Sequence, residues 1–264
     1  MNYSKEVLKK AIRNPFHTSF IFARRNLSLG FKNRDRHYTQ TYSWNFGKLP
    51  STPLKEILLH FETEICEAKV LNPDSNDHSL TGSEAVVLST LISSLRPTNI
   101  LEIGTGTGFT SLLMSLNAPK ECMITTVDLP EVAETKDLGI KIKEIYWNKS
   151  DVSNLESSAR LNGLENVQRI FVDSMNLNQV LSGPFDFIFI DGCHDYKYVM
   201  NDSIRGFEFI DKKGFLLWHD YRMLPEVSKF LDELSAVHKI FAIEGTRFVI
   251  GLVDKNYDKF LSEV

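Results

Sequence analysis

The sequence lacks the features of a membrane-spanning or disulfide-stabilised protein. No apolar run reaches the roughly 18 residues that a membrane-spanning helix needs, and the first residues are polar and basic, unlike a secretory signal peptide. The 264 residues include only three cysteines, Cys66, Cys122 and Cys193, and no two of them form a Cys-x-x-Cys pair. These absences predict a cytoplasmic protein with free thiols.

Charge is distributed unevenly along a chain of otherwise ordinary globular composition. Residues 1–50 contain ten Lys and Arg against Glu6 and Asp35, a local charge of +8. The other residues therefore carry a charge of -12, which gives the net charge of -4. A basic segment of this kind can be a solvated face, a contact between copies of the chain, or a binding surface for nucleic acid, anionic lipid or an acidic substrate.

The first 76 residues differ in pattern from the rest. Residues 4–29 have helical periodicity broken at Pro15, residues 31–53 are aromatic, basic and irregular, and a helix is predicted from Pro53 to about Val70. A polar turn follows at residues 72–76. The turn predicts a boundary between a helical N-terminal extension, residues 1–76, and a larger domain, residues 77–264.

Strands and helices alternate in the larger domain. Thr81 and Glu84 have the spacing of a capping box at the start of a helix, and short apolar runs then alternate with helical patterns. The last two apolar runs are separated by only three residues, so they must be antiparallel neighbours. We therefore predict an α/β fold with a doubly wound, mostly parallel seven-stranded sheet of Rossmann-like type and an antiparallel last strand. The predicted strands are 99–103, 123–127, 167–172, 185–190, 214–218, 238–243 and 247–253, and the predicted helices within this order include 196–210 and 225–234.

A glycine-rich loop follows the first strand of this domain. Glu102 precedes Gly104, Thr105, Gly106 and Gly108, and a helix is predicted from residue 109. Glycines let the backbone turn tightly and approach a ligand, whose polar groups then face the helix N-terminal amides. The nicotinamide fingerprint would need glycine at position 109, where the sequence has phenylalanine. The loop thus favours S-adenosylmethionine (SAM) over NAD.

The segment Glu102–Gly108 resembles the first motif of class I SAM-dependent methyltransferases, and the resemblance extends over about residues 80–253. It implies that Gly104, Thr105 and Gly106 lie against the methionine part of SAM. It also implies that Glu102 positions the loop or the cofactor amino group, and that Asp173 and Ser174 contact adenine at the end of the third strand. From its own position at the end of the second strand, Asp128 can accept hydrogen bonds from ribose hydroxyls.

Acids and histidines follow the fourth and fifth strands. Asp191 and His194 come after the fourth strand, and His219 and Asp220 come after the fifth. Carboxyl ends of adjacent strands border the ligand crevice of an open α/β sheet, so we expect these four residues to converge. Within class I enzymes the two segments resemble the small-molecule branch that includes macrocin O-methyltransferase-like and cephalosporin-hydroxylase-like proteins, of the methyltransferase domain 24 type.

That resemblance also raises the question of a metal. Some relatives in the branch hold a divalent ion with an aspartate after strand four and an acidic pair after strand five; Asp191 and Asp220 match, whereas His219 replaces the first acid of the pair. Oxygen ligands suit Mg²⁺, and an added imidazole would tolerate Mn²⁺ or Zn²⁺. The sequence leaves a metal-bound and a metal-free site both open.

The predicted function is SAM-dependent O-methylation of a small or sugar-containing molecule. Histidine has an ordinary pKa near 6.5, so His194 or His219 is suited to be the general base, with Asp191 contributing to catalysis. Two alternatives are a nicotinamide-dependent oxidoreductase and a non-catalytic SAM-fold binding protein. Nucleic acid is disfavoured as a substrate because the Asn-Pro-Pro-Tyr-like motif of base methyltransferases is absent after strand four. The N-terminal extension is a candidate contact for substrate or for a second copy.

Overall fold

The computed structural model describes residues 47–73, 80–130 and 156–252. The predicted helices within residues 4–29, and most of the helical stretch predicted up to Asn162, lie outside these ranges. Residues 156–161 of that stretch are helical.

Helices and strands alternate along the described residues, as predicted. Most strand and helix bounds agree with the predicted ones to within two residues. The α-helices are α1 (Leu54–His60), α2 (Gly82–Leu95), α3 (Phe109–Asn117), α4 (Tyr196–Phe209) and α5 (Pro225–Leu234), and a 3₁₀ helix spans Ser174–Gln179. The strands are β1 (Ser51–Thr52), β2 (Asn99–Ile103), β3 (Met123–Asp128), β4 (Val167–Phe171), β5 (Phe185–Ile190), β6 (Ile210–Trp218), β7 (Ile240–Ile243) and β8 (Val249–Leu252).

All eight strands form one sheet, in the order β1-β7-β8-β6-β5-β2-β3-β4. Neighbouring strands are parallel except for β8, which is antiparallel to both β6 and β7. The predicted α/β fold and its antiparallel last strand are confirmed. The sheet has one strand more than the seven predicted, because Ser51–Thr52 pairs with Ala242 and Ile243 at the edge. Two residues are too few to show an alternating pattern in a sequence.

Apolar side chains fill both faces of the sheet. On one face α4 and α5 cover a cluster that includes Trp218 and Phe230; on the other, α1, α2 and α3 cover a cluster that includes Phe187 and Phe189. Burial on both faces explains why the parallel strands are continuous apolar runs rather than alternating ones. It also leaves only the ends of the strands open to a ligand.

The start of α2 is a capping box, as predicted. The Thr81 hydroxyl accepts a hydrogen bond from the Glu84 amide, and the Glu84 carboxylate accepts one from the Thr81 amide at 2.8 Å. This reciprocal pair satisfies two backbone donors that a helix start otherwise leaves free.

The helix predicted from Pro53 to Val70 is wrong beyond His60. Glu62 takes a left-handed backbone conformation with φ of 56°, and the Thr63 amide donates to the Leu58 carbonyl, which closes the helix end. The chain then continues without regular secondary structure, with the amides of Cys66 and Lys69 donating to side-chain oxygens on α2 and α3. These tertiary hydrogen bonds replace the helical ones that the sequence pattern allowed.

Residues 51–60 belong structurally to the sheet edge. They supply β1, and α1 buries Ile57 and Leu58 completely in the core on the α2 side. No helix among the described residues is long and apolar enough to cross a membrane. The division of the chain at residue 76 stays a prediction.

Packing of α1 onto the sheet can be tested at two adjacent leucines. We expect Leu58→Ala to lower the free energy of unfolding by about 2–5 kcal/mol, because it leaves a cavity in a fully buried site. Leu59 is 63% exposed, so Leu59→Ala is the matched control and should change stability by about 0.5 kcal/mol or less. Urea denaturation of the full chain measures both; equal effects would mean that α1 does not pack as described.

Candidate active site

The loop between β2 and α3 is shaped by its glycines. Gly104, Gly106 and Gly108 have φ values of 103°, 50° and 75°, in the left-handed region that other residues rarely adopt. The Gly104 amide donates to the Val127 carbonyl at 2.8 Å, which bends the loop over the end of β3. Gly108 immediately precedes α3, so the loop ends at the helix N-terminus, as predicted.

Gly104 lies against the residue that follows β5. A Cβ at this position would be 2.2 Å from the carbonyl oxygen of Asp191, so only glycine fits. The Asp191 amide in turn donates to the Ile103 carbonyl at 2.8 Å. The loop and Asp191 are therefore fixed side by side at the carboxyl edge of the sheet.

Gly106 faces open space. No heavy atom of the described residues lies within 4 Å of a Cβ built there, in contrast to the crowded Gly104. A ligand approaching this part of the loop would meet backbone without an intervening side chain.

Glu102 lies beneath the loop rather than on its open side. Its side chain is fully buried, Ser111 and Thr126 donate hydroxyl hydrogen bonds to Oε2, and Oε1 has no hydrogen-bond partner among the described residues. Burial raises the pKa of Glu102 to about 8, although the two hydroxyls oppose this. Thr105 joins the same network through a 2.7 Å contact between its hydroxyl and that of Thr126. These contacts favour positioning of the loop as the role of Glu102.

Asp128 ends β3 and holds the loop directly. Its Oδ2 accepts the Gly106 amide at 2.8 Å, and its Oδ1 accepts the amide of Leu129 at 2.8 Å. Burial raises the pKa of Asp128, while these amides favour its charged form. A carboxylate oxygen can accept more than one hydrogen bond, so these contacts leave Asp128 able to bind a further donor.

Asp173 and Ser174 follow β4 and accept hydrogen bonds from residues of α4. Asp173 caps the 3₁₀ helix by accepting the Met175 amide at 3.0 Å, and it accepts the Tyr198 hydroxyl at 3.2 Å. The Ser174 carbonyl accepts from Asn201 at 3.0 Å. Their predicted contact with adenine stays a prediction.

The four residues predicted to converge after β5 and β6 do so. His219 Nδ1 lies 2.9 Å from Asp191 Oδ1, and His194 Nε2 lies 3.0 Å from Asp220 Oδ2 and 4.0 Å from Asp191 Oδ1. The two histidines differ in access: the His219 side chain is 2% exposed, whereas the His194 side chain is 39% exposed.

Glu84 and Arg247 complete this cluster, and the sequence analysis did not place them there. Arg247 donates from Nε and Nη2 to the two carboxylate oxygens of Glu84 at 2.7 and 2.6 Å, and from Nη1 to Asp220 Oδ1 at 2.8 Å. Both members of the pair are buried. The capping box identified Glu84 as a helix cap, but no local pattern connects it to a residue 163 positions further along the chain.

Charges in the cluster balance in pairs. Burial disfavours charge on His194 and His219, but the neighbouring Asp191 and Asp220 outweigh it and raise the pKa of His194 to about 9 and of His219 to about 10. Burial likewise opposes charge on Asp220 and Glu84, yet the adjacent cations hold the pKa of both carboxyls below the ordinary range. The carboxylates of Glu84 and Asp220 thus face cationic partners at neutral pH.

Asp191, His219 and Asp220 also fit a divalent metal in donor type. One ligand atom from each lies within 4.8 Å of the others. Both oxygens of Asp220 already face cations, Arg247 and His194, so a bound ion would compete with at least one of them.

Comparison with known proteins finds similarity to methyltransferases. A family model described as a methyltransferase domain matches residues 101–221. Residues 101–221 are therefore similar to that domain. A probable caffeoyl-CoA O-methyltransferase 3 of Dictyostelium discoideum is 25% identical over 173 residues, which cover 62% of this chain and 64% of the relative. The uncharacterised protein R132 of Acanthamoeba polyphaga mimivirus is 31% identical over 94 residues, 32% of this chain and 40% of that protein. The chain thus spans less than two thirds of the length of either relative.

Two solved methyltransferase structures are matched at low identity. The O-methyltransferase TomG from Streptomyces achromogenes, in complex with SAM, has a TM-score of 0.49 at 14% identity, covering 85% of this chain and 99% of its own. The methyltransferase PaMTH1 of Podospora anserina, bound to S-adenosylhomocysteine (SAH), has a TM-score of 0.49 at 18% identity. The match covers 85% of this chain and 97% of PaMTH1.

The methyltransferase domain match begins in β2 and ends at Tyr221. It includes the glycine loop, Asp128, and the acids and histidines after β5 and β6. Glu84 and Arg247 lie outside the matched residues. Arg247 nevertheless contacts Asp220 of the cluster, and Glu84 contacts Arg247.

Proposed function

We propose that this protein is a SAM-dependent methyltransferase that methylates an oxygen atom of a small molecule. The observation that carries the proposal is the contact of Gly104 with Asp191, which joins a ligand-accessible glycine loop to the cluster of acids and histidines. A methyl donor on the loop would lie next to groups that can orient an acceptor and take its proton. We propose the cytoplasm as its location, which the free cysteines among the described residues support.

The residues proposed to bind SAM surround the loop. Gly104, Thr105, Gly106 and Gly108 form its backbone, and Asp128 would bind the ribose hydroxyls. Asp173, Ser174 and Asp191 are proposed as further contacts. The family match argues against a nicotinamide-dependent oxidoreductase, and the acid and histidine cluster argues against a non-catalytic binding protein.

The cofactor site can be tested at Gly106. We expect Gly106→Val to abolish binding of SAH, because its side chain would fill the open space beside the loop. Gly163 also has a positive φ and no neighbour among the described residues within 4 Å of a Cβ built there, so Gly163→Val carries a similar backbone cost outside the loop and should keep the wild-type affinity. Isothermal titration calorimetry with SAH and NADH distinguishes the cofactors. Unchanged SAH affinity in Gly106→Val would reject the site, and tight NADH binding would reject the cofactor.

Of the two histidines, His194 is the better candidate for the general base. Its side chain is accessible, whereas His219 is buried with Nδ1 against Asp191. His219 is then proposed to position Asp191. The pKa of His194, raised to about 9, means that at neutral pH most molecules carry a protonated ring that cannot accept a proton.

The rate of methyl transfer should therefore rise with pH further than an ordinary histidine would allow. Only neutral imidazole accepts the proton, so turnover should increase by roughly tenfold per pH unit up to about pH 9 and then level off. His194→Gln should lower turnover by roughly 10²- to 10⁴-fold and remove this dependence, with little change in SAH affinity. The exposed His60 provides the control His60→Gln. A screen of hydroxylated metabolites with labelled SAM identifies the acceptor for these assays. Full turnover in His194→Gln would exclude His194 as the general base.

A divalent ion is the second candidate for activating the acceptor. Asp191, Asp220 and His219 would hold it, and Mg²⁺ or Mn²⁺ would lower the pKa of the acceptor oxygen when bound. Arg247 and His194 oppose its binding because both already face Asp220.

Chelation distinguishes a metal-dependent from a metal-free site. If the ion is required, EDTA should abolish methyl transfer and Mg²⁺ or Mn²⁺ should restore it, while Asp220→Asn should lower the affinity for Mn²⁺ measured by electron paramagnetic resonance. Asp211→Asn, at an exposed position at the opposite end of β6 from the cluster, is the control. Full activity after exhaustive chelation would leave the metal-free mechanism.

A further inference from the structure

The turn that carries Asp220 has an unusual backbone. Asp220 and Arg222 have φ values of 59° and 66°, and Tyr221 lies between them. Residues with a Cβ rarely adopt this conformation, and it persists only where surrounding contacts hold it. The Asp220 carboxylate is thereby directed between His194 and Arg247.

Arg222 connects this turn to the segment Gly47–Thr52. Its guanidinium donates to the Ser51 hydroxyl at 2.6 Å and to the Leu49 carbonyl, and its backbone amide donates to the Ser228 hydroxyl at 2.8 Å. Gly47–Thr52 is in turn part of the sheet edge through β1.

Tyr221 makes a second connection to the same segment. Its hydroxyl donates to Asp232 at 2.6 Å and accepts the Leu49 amide at 2.8 Å, while its backbone amide donates to the Arg247 carbonyl at 3.0 Å. Gly47 lies against the ring, where a Cβ would be 2.5 Å from Cζ. The aromatic ring is buried, so the turn is held from both its backbone and its side chains.

We propose that Arg222 and Tyr221 are positioning residues that hold Asp220 towards His194 by fixing the 220–222 turn to the segment Gly47–Thr52. Neither side chain needs to touch substrate for this role. The segment lies outside the residues matched by the methyltransferase domain, and its hydrogen bonds to the turn span 171 to 173 positions in sequence, yet it determines the geometry of the cluster. Its importance for turnover rests on the proposed function, whereas its effect on the Asp220 turn does not.

The test compares Arg222→Ala, Arg222→Lys and Arg96→Ala in the full chain. Arg96 is exposed, also has a positive φ of 51°, and caps α2, so Arg96→Ala carries the same backbone cost without contact to the 220–222 turn. In Arg222→Ala we expect the ring resonances of His194 at pH 7.5 to move towards those of histidine in water, because Asp220 no longer faces the ring. Arg222→Lys should restore most of the wild-type shift by donating one hydrogen bond, and Arg96→Ala should show the wild-type spectrum. The His194 resonances are assigned with His194→Gln.

Kinetics provide the second arm. Arg222→Ala should lower kcat by tenfold or more with SAH affinity within about twofold of wild type, and Arg222→Lys should recover most of the loss. Wild-type His194 resonances in folded Arg222→Ala would overturn the proposal. If Arg222→Ala does not fold, Tyr221→Phe and Ser51→Ala replace it, since each removes only hydroxyl contacts; wild-type spectra for both would equally overturn it. A protein that binds no SAH but shows the predicted spectral changes would overturn the proposed function and leave the positioning role intact.

Discussion

The buried ion pair between Glu84 and Arg247 is the interaction on which the organisation of the site depends. Two charges in a protein interior are tolerated only when each is fully paired, and here the guanidinium is bidentate to one carboxylate and reaches a second, Asp220. Because Glu84 also caps α2, the pair links the start of that helix to the β7–β8 turn and to the carboxyl end of β6. Three separate parts of the chain are thereby brought to one charge-balanced cluster.

The parallel sheet brings the residues of the cluster together at the carboxyl ends of its strands. β2, β3, β5 and β6 end at one edge, so Gly104, Asp128, Asp191 and Asp220 meet there without any being close in sequence to all the others. Asp191 in particular contacts the glycine loop through its backbone and His219 through its side chain. The position of a proposed methyl donor and that of a proposed base are coupled through one residue.

Local sequence patterns predicted the sheet, its antiparallel last strand and the convergence after β5 and β6, because apolar runs and strand-end positions are properties of short segments. The same patterns did not predict the end of α1 at His60, where hydrogen bonds from Cys66 and Lys69 to Ser94 and Asn117 compete with helix formation. Nor did they predict β1, or Arg247 beside Glu84, since both depend on partners distant in the chain. The pKa values of His194 and His219 are raised above the ordinary value expected from the sequence for the same reason. The carboxylates that raise them are close only in the folded chain.

The separation of Glu84 and Arg247 by 163 positions has a consequence for synthesis on the ribosome. Translation produces Glu84, the glycine loop and Asp220 before Arg247, and β8, which must insert between β6 and β7, comes later still. Until then the nascent sheet has an open gap beside β6, and neither Glu84 nor Asp220 has its guanidinium partner. Burial of unpaired carboxylates is unfavourable, which disfavours packing of this end of the sheet before the hairpin is made. Among the described residues, the edge that carries the cluster can therefore be completed only after the β7–β8 hairpin has been made.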